Sequence, residues 1–181
     1  MLFNPQLTKN ISCGMLKTRN PTKILGYKGG MLLKLSTKGR YGVKAMFELA
    51  LHYGEGPIPL NIIAERQDIS EAYLEQLMAG LRKAKLVKSI RGAQGGYMLA
   101  QKPSKITIGD IIRVLEGPLA PVDCVIQGEP VECEKAGKCV TRGVWEKIRD
   151  SLSDVLDSIT LQDMCDDAAE KGSDLFEKGL S

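Results

Sequence analysis

LNIIAERQDISEAYLEQLMAGLRKAKLVKSIRGAQGGYMLA, Leu60 to Ala100, is the stretch on which the fold turns. LNIIAERQ (Leu60 to Gln67) reads as a short helix, and the turn DIS follows it. Ser70 stands where an N-cap belongs, with Glu71 in the first turn of the next helix, where a carboxylate meets the positive end of the dipole. That helix is predicted over about Glu71 to Ala84, with Leu74, Leu77, Met78 and Leu81 inward at three- and four-residue spacing. Two helices joined by so short a turn are a helix-turn-helix candidate. VKSI then alternates at period two, GAQGG is a turn, and YMLA is a second short strand. A β-hairpin straight after the second helix is a wing.

Upstream, a helical pattern starts at Thr37, with Tyr41, Ala45, Met46, Leu49, Ala50 and Tyr53 on one face. Gly54, Gly56, Pro57 and Pro59 end it. Downstream, Pro103 closes the wing and ITIGDIIRVLEG (Ile106 to Gly117) is a short amphipathic helix. Pro118 and Pro121 lead into a cysteine-bearing loop. Val144, Ile148, Leu152, Val155, Leu156 and Ile159 then form one stripe on a helix over Thr141 to Ile159, about 28 Å long at ~1.5 Å per residue. The small domain cannot cover both ends of so long a helix, so a partner helix is expected on it. Thr160 with Asp163 resembles a capping pair for a last short helix. The fold class is mainly α with a small β-hairpin wing. Residues 33–105 are expected to form a winged helix-turn-helix, residues 106–172 the cysteine loop and dimerisation helices, and residues 173–181 a flexible tail.

Residues 1–32 show no periodicity. The codons beneath YKGG (Tyr27 to Gly30) can spell a bacterial ribosome-binding sequence at a distance that suits initiation at Leu33. These residues are therefore read as a leader from a misassigned start, the rival being a basic, disordered arm or an organellar presequence.

Charge is unevenly spread. Residues 1–30 carry five Lys/Arg and no acid, residues 31–105 twelve against six, and residues 106–181 eight against sixteen. Only the first half is suited to meet a polyanion. No stretch approaches the roughly 20 apolar residues of a membrane span, and no secretion signal is present. A cytoplasmic, nucleoid-associated protein with no membrane partner is expected.

A recognition helix reads base edges with residues near its N-terminus. Here these are Ser70, Glu71, Tyr73, Glu75 and Gln76. Glu75 can accept from a cytosine amino group, Gln76 can pair with adenine, and Tyr73 can donate to phosphate. Arg91 opens the wing, where a guanidinium suits a narrow minor groove. Lys34, Lys38 and Arg40 flank the first helix and can hold backbone phosphates. The plainer reading is a structural helical hairpin with a solvated charged face.

Three of the five cysteines lie in CVIQGEPVECEKAGKCVTR, Cys124 to Arg142. Eight residues separate Cys124 from Cys133 and five separate Cys133 from Cys139. Zinc sites use closer pairs, so three thiolates at these spacings suit an iron–sulfur cluster better than a single ion. Lys135, Lys138 and Arg142 can offset its charge. The alternative is a thiol-sensing or redox-inert loop. Cys165 reads as a packed thiol, His52 as a satisfied structural histidine, and Trp145 as core of the long helix. No nucleotide loop, Ser/His/Asp set or converging carboxylate pair is evident, so the chain is not expected to be an enzyme. An electron carrier and a structural dimeric adaptor are the readings from other classes.

LKLSTKGRYGVKAM, AYLEQLMAGLRKAKLVKSIRGAQGGY and CVTRGVWEKIRDSLSDVLDSITL resemble the bacterial regulators of the IscR, NsrR and CymR family, the Rrf-two type, from about Leu33 to Cys165. The resemblance implies a winged-helix homodimer on a near-palindromic double-stranded operator, with the long helix crossing its partner. It matches Ser70, Tyr73, Glu75 and Gln76 to the family's recognition contacts and Arg91 to its wing arginine, while Ala72 replaces a polar residue of some relatives. It matches Cys124, Cys133 and Cys139 to the ligands of a 2Fe–2S or 4Fe–4S cluster. Arg142 stands where IscR has a histidine, and Arg40 where the NsrR branch takes a carboxylate from the partner subunit. Neither arginine can ligate iron, so the fourth ligand is unassigned: Glu132, Glu134, Asp123, a thiol from solution or an open iron site. EGPLAPVD (Glu116 to Asp123) is very like the CymR branch, whose closest relatives lack the cysteine trio and whose signal comes through a partner enzyme of cysteine synthesis. On that second reading the cysteines bind zinc or sense thiol chemistry.

Overall fold

The computed structural model describes residues 36–128 and 132–171; Lys34 and the expectations for residues 1–32 and 173–181 lie outside them. Helix α1 (Thr37–Leu51) begins at Ser36, whose hydroxyl accepts from the Lys38 N–H at 3.1 Å. Glu116 reinforces this start from the far end of the domain: its carboxylate accepts from the Ser36 hydroxyl at 2.5 Å and from the Gly39 N–H at 2.9 Å. Two otherwise unpaired donors of the first helical turn are thereby satisfied. The helix stops at Leu51, so Tyr53 falls beyond it and is 46% exposed rather than part of the apolar face.

Helices α2 (Leu60–Gln67) and α3 (Glu71–Lys83) form the helix-turn-helix. Asp68 makes the turn in the left-handed region (φ 52°, ψ 53°). Its N–H donates to Glu65 and the Ile69 N–H donates to Ala64, a Schellman closure made without glycine. Lys85 (φ 62°) ends α3 in the same way, with Lys85 donating to Arg82 and Leu86 to Leu81. Aspartate tolerates this conformation; lysine is less common there and is held by both bonds. Leu74, Leu77, Met78 and Leu81 are all buried, as their spacing predicts.

The wing is β1 (Val87–Ile90) antiparallel to β2 (Gly96–Leu99), in register from Val87 opposite Leu99 to Ile90 opposite Gly96. In β1 only Val87 is buried, so the period-two alternation read from VKSI is not used. A hairpin that projects from the domain has a core only at its root. There Ile58 makes an isolated antiparallel bridge to the wing, exchanging two backbone hydrogen bonds of 2.8 Å with Tyr97.

Helix α4 (Ile108–Glu116) lies across α1 over Gly39 and Gly42. Together they enclose a core with Met46, Ile63, Leu74, Met78, Leu81, Ile106, Ile111, Ile112 and Leu161 at 1% exposure or less. Each such side chain contributes about 1.5–3 kcal/mol.

Helices α5 (Arg142–Ser158) and α6 (Leu161–Glu170) complete the described chain. The Thr160–Asp163 capping box forms as expected, and Thr107 with Asp110 makes a second one at α4. The two caps lie side by side. Ile108 donates to Ile159 at 2.9 Å and Leu161 to Ile106 at 3.0 Å, so α4 and α6 start from one shared bridge. Arg113 of α4 grips Asp157 of α5 with both terminal guanidinium nitrogens, at 2.8 and 2.5 Å. This hydrogen-bonded pairing holds the Asp157 carboxyl below its ordinary range. A depressed carboxylate stabilises the fold above its ordinary pKa of about 3.9 and loses that contribution as pH falls through the folded value. Both side chains are more than a third exposed. Asp157→Asn is therefore expected to cost under about 1 kcal/mol at neutral pH, with the difference from wild type shrinking below pH 4 in urea titrations.

No residue of α5 is fully buried. Val144, Val155, Ile159 and Ile148 are 53%, 56%, 38% and 37% exposed, and Trp145 is half-buried, so the expectation that it is core is not met. Among the described residues no helix is long and apolar enough to cross a membrane.

Candidate DNA-binding surface and cysteine loop

The exposed side of α3 carries Glu71, Glu75 and Gln76, because burial of Leu74, Leu77 and Met78 turns the intervening positions outward. Ser70 occupies the N-cap position, yet its side chain makes no capping bond, which leaves the hydroxyl exposed and available. Tyr73 differs from its neighbours. It is half-buried against the core, and its ring meets that of Tyr41 edge-on at 6.0 Å. Tyr73 thus couples α3 to α1 as well as offering a hydroxyl. Lys38 and Arg40 are exposed at the start of α1, and Arg91 is exposed at the wing turn.

One part of this surface was not foreseen. Glu48 is a buried carboxylate, 5% exposed, in the last turn of α1. It accepts from Arg66 at 2.7 Å and from Gln67 at 2.8 Å, both at the end of α2. His52 completes the network: its Nε2 faces the Arg66 guanidinium at 2.7 Å and its Nδ1 faces Glu55 at 2.7 Å. Arginine only donates, so Nε2 accepts and the ring proton sits on Nδ1, donated to Glu55. His52 is a satisfied structural histidine, as expected, and it anchors the helix pair on which α3 is set.

Cys124 lies in a 3-10 turn, Asp123–Val125, packed on α5; Val125 is 1% exposed and its carbonyl accepts from Arg149 at 2.7 Å. Cys139 precedes α5, its sulfur 3.3 Å from the Thr141 hydroxyl. That contact, backbone N–H groups of Arg142 and Thr141 and the Arg142 charge lower its thiol pKa. Cys133 is exposed between them. All three are free thiols. The Arg142 guanidinium bonds Glu146 at 2.9 Å. Three soft donors on one segment fit an iron–sulfur cluster chemically. Among the described residues, however, no three His, Cys, Asp or Glu side chains are gathered to hold a metal. Asp123, Glu132 and Glu134 are exposed and none joins the thiols in such a group. Cys165 is partly buried against the core, and burial raises its pKa.

A helix-turn-helix with a wing, exposed cations at the start of α1 and at the wing turn, and a long helix with an exposed apolar stripe defines a DNA-binding regulator. The chain belongs to the Rrf2 family, described as iron-dependent transcriptional regulators, whose model matches residues 35–167. It is 53% identical over 132 residues to the regulator CymR of Bacillus subtilis, covering 73% of this chain and 89% of that protein. The solved structure of T. potens IscR is 56% identical, with a TM-score of 0.65 over 80% of this chain and 95% of that one. The structure of CymR, titled the global cysteine regulator of B. subtilis, is 54% identical, with a TM-score of 0.61 over 75% of this chain and 98% of that one. The chain is thus a transcriptional regulator, similar to both IscR and CymR.

Proposed function

We propose that this regulator acts in the cytoplasm as a homodimer on a near-palindromic operator, and that Cys124, Cys133 and Cys139 hold an iron–sulfur cluster whose presence sets DNA affinity. The observation that carries the reading is the anchoring of the cysteine segment: Val125 at one end is tied to α5 by Arg149, and Cys139 at the other leads directly into it. When bound, the cluster would supply an oxygen- and nitric-oxide-labile link among the three thiolates. Arg149 and Thr141 hold the segment's ends against α5, and Arg113 with Asp157 ties α5 to α4, which packs on α1. Protein purified without oxygen should be brown, contain acid-labile sulfide matching its iron, and change operator affinity on exposure to air. Stoichiometric zinc without sulfide would point to a zinc site instead.

A second reading is favoured by the 53% identity with CymR. In it the chain is a repressor of cysteine and sulfur metabolism genes, controlled through a cysteine-synthesis enzyme. A colourless, metal-free protein whose DNA affinity responds to that enzyme would establish it.

Two substitutions test the DNA surface. Glu75→Ala is expected to relax preference at one base per half-site, by about 1–3 kcal/mol. Lys38→Ala is expected to weaken all sequences alike and flatten the salt dependence. Binding-site selection on randomised duplexes checks both; an unaltered preferred site in Glu75→Ala would mean that α3 sits in another register. The dimer is tested at Ile148, in the centre of the exposed stripe. Ile148→Asp should shift the protein to monomer in sedimentation velocity, because a carboxylate buried in a helix pair is unpaired.

A further inference from the structure

Between the C-terminal end of α4 and the inner side of α5 lies a cavity of about 360 Å³. Its polar lining is Arg113, Arg149, Gln127 and Ser153, and Pro118 and Leu119 form an apolar wall. We propose that this cavity is a binding site for a small organic carboxylate, and that its occupant acts on the cysteine segment through Arg149.

The donor balance supports the ligand class. No carboxylate lines the cavity. Of the five N–H donors of a guanidinium, Arg113 spends one on each Asp157 oxygen. Arg149 bonds Asp150 through Nε and the Val125 carbonyl through one terminal nitrogen, its other terminal nitrogen lying 2.7 Å from Asp150. Each guanidinium keeps donors to spare, and the two come from different elements, α4 and α5. Among the described residues the side chains of Gln127 and Ser153 have no hydrogen-bond partner. Each guanidinium already holds one aspartate, so what the cavity offers is their remaining N–H groups with the Gln127 amide and the Ser153 hydroxyl, a donor set that suits a small carboxylate. The Pro118 and Leu119 wall favours a ligand with a short apolar stem over a bare hydrated ion. The volume is at the lower end of the range for small-molecule sites.

At about 100° per residue, Arg149 and Ser153 lie roughly 120–160° around α5 from Val144, Ile148 and Val155, the most exposed part of the apolar stripe, while Leu152 and Leu156 lie nearer to them.

Coupling follows from Arg149. Its side chain is 17% exposed, and it is the group that ties the turn of Cys124 to α5. A carboxylate that engages its fork competes with the Val125 carbonyl and loosens that turn. The coupling half rests on the proposed role of the cysteine segment; the binding half does not.

The test uses full-length protein titrated with pyruvate and, separately, with inorganic phosphate at equal ionic strength. In ¹H–¹⁵N spectra pyruvate should give saturable shifts at the Gln127 side-chain amide, the Leu119 N–H and the Arg149 Nε–H. Arg113→Gln should weaken binding by about ten-fold, the scale of one charge-assisted hydrogen bond, and Ser153→Phe should abolish it by filling the space. Absence of saturable shifts, or undiminished binding in both variants, would overturn the site. Equal affinity for phosphate would overturn the carboxylate assignment. Iodoacetamide labelling of Cys124, followed by peptide mass spectrometry, should accelerate when pyruvate is bound. An unchanged rate with binding intact would overturn the coupling alone. Loss of operator binding or of the cluster would bear on the proposed function and leave the titration result standing.

Discussion

Gly96→Ala is expected to destabilise the domain by more than about 3 kcal/mol and to abolish operator binding. A Cβ at this position would stand 2.2 Å from the Ile58 carbonyl oxygen and 2.3 Å from its carbon. Both are backbone atoms, so no rotamer change relieves the contact. The strands must part, and the two 2.8 Å bonds between Ile58 and Tyr97 are lost with them. Each is a backbone pair at the wing root, and leaving it unmade costs more than the bond itself contributes. A folded domain with a stability of about 5–15 kcal/mol survives such a change only marginally. Arg91 rides on the hairpin that Gly96 anchors, so its placement fails even in molecules that fold. Gly143→Ala is the control. It lies in the first turn of α5 with nothing near its added Cβ, and helix propensity favours alanine by about 1 kcal/mol. Urea unfolding and operator binding should separate the two variants cleanly. A Gly96→Ala protein of wild-type stability would mean that Ile58 does not pair with Tyr97 in solution.

This contact also marks the limit of what the sequence revealed. Helices α2 and α3, the wing strands and α5 are legible because each is set by local spacing, a cap or a turn residue. The Thr160–Asp163 cap was read in this way, and Thr107–Asp110 has the same pattern within a segment read only as an amphipathic helix. What stayed hidden depends on residues far apart in sequence. Glu48 looks like one more solvated acid until Arg66 and Gln67, eighteen and nineteen positions on, fold against it. Ile58 sits among helix breakers, where no period marks it as a residue that pairs with the wing. Tyr73 has the right place for a phosphate contact, but its half-buried setting against Tyr41 follows only from the packing of α1 on α3. In the cysteine loop, spacing identified three candidate ligands and could not say whether the unliganded chain would gather them.

Cys124→Ala, Cys133→Ala and Cys139→Ala are each expected to abolish the brown colour of anaerobically reconstituted protein, whereas Cys165→Ala and His52→Ala should retain it. The expectation is all-or-none because a cluster normally takes four protein ligands and this segment offers three thiols. Removal of any one leaves two. Cys165 is partly buried in the core and its pKa is raised, so its thiolate is disfavoured, and both His52 nitrogens are already engaged. The three positions should nevertheless differ in the apo protein. Cys124 is part of a turn bonded to α5, and Cys139 is fixed by the start of α5, so replacing either should alter apo stability slightly. Cys133 is exposed, and its loss should leave apo stability unchanged. Arg142→His then probes the missing ligand. Arginine cannot bind iron, whereas a histidine at the first turn of α5 would bring an imidazole close to Cys139. If the fourth position is open or held by an exchangeable ligand, Arg142→His should slow loss of visible absorbance in air. An unchanged decay rate would place the fourth ligand on another residue. A colourless wild-type protein under the same reconstitution would remove the cluster from the account and leave the three thiols, Cys133 exposed and Cys124 and Cys139 partly buried, to the second reading.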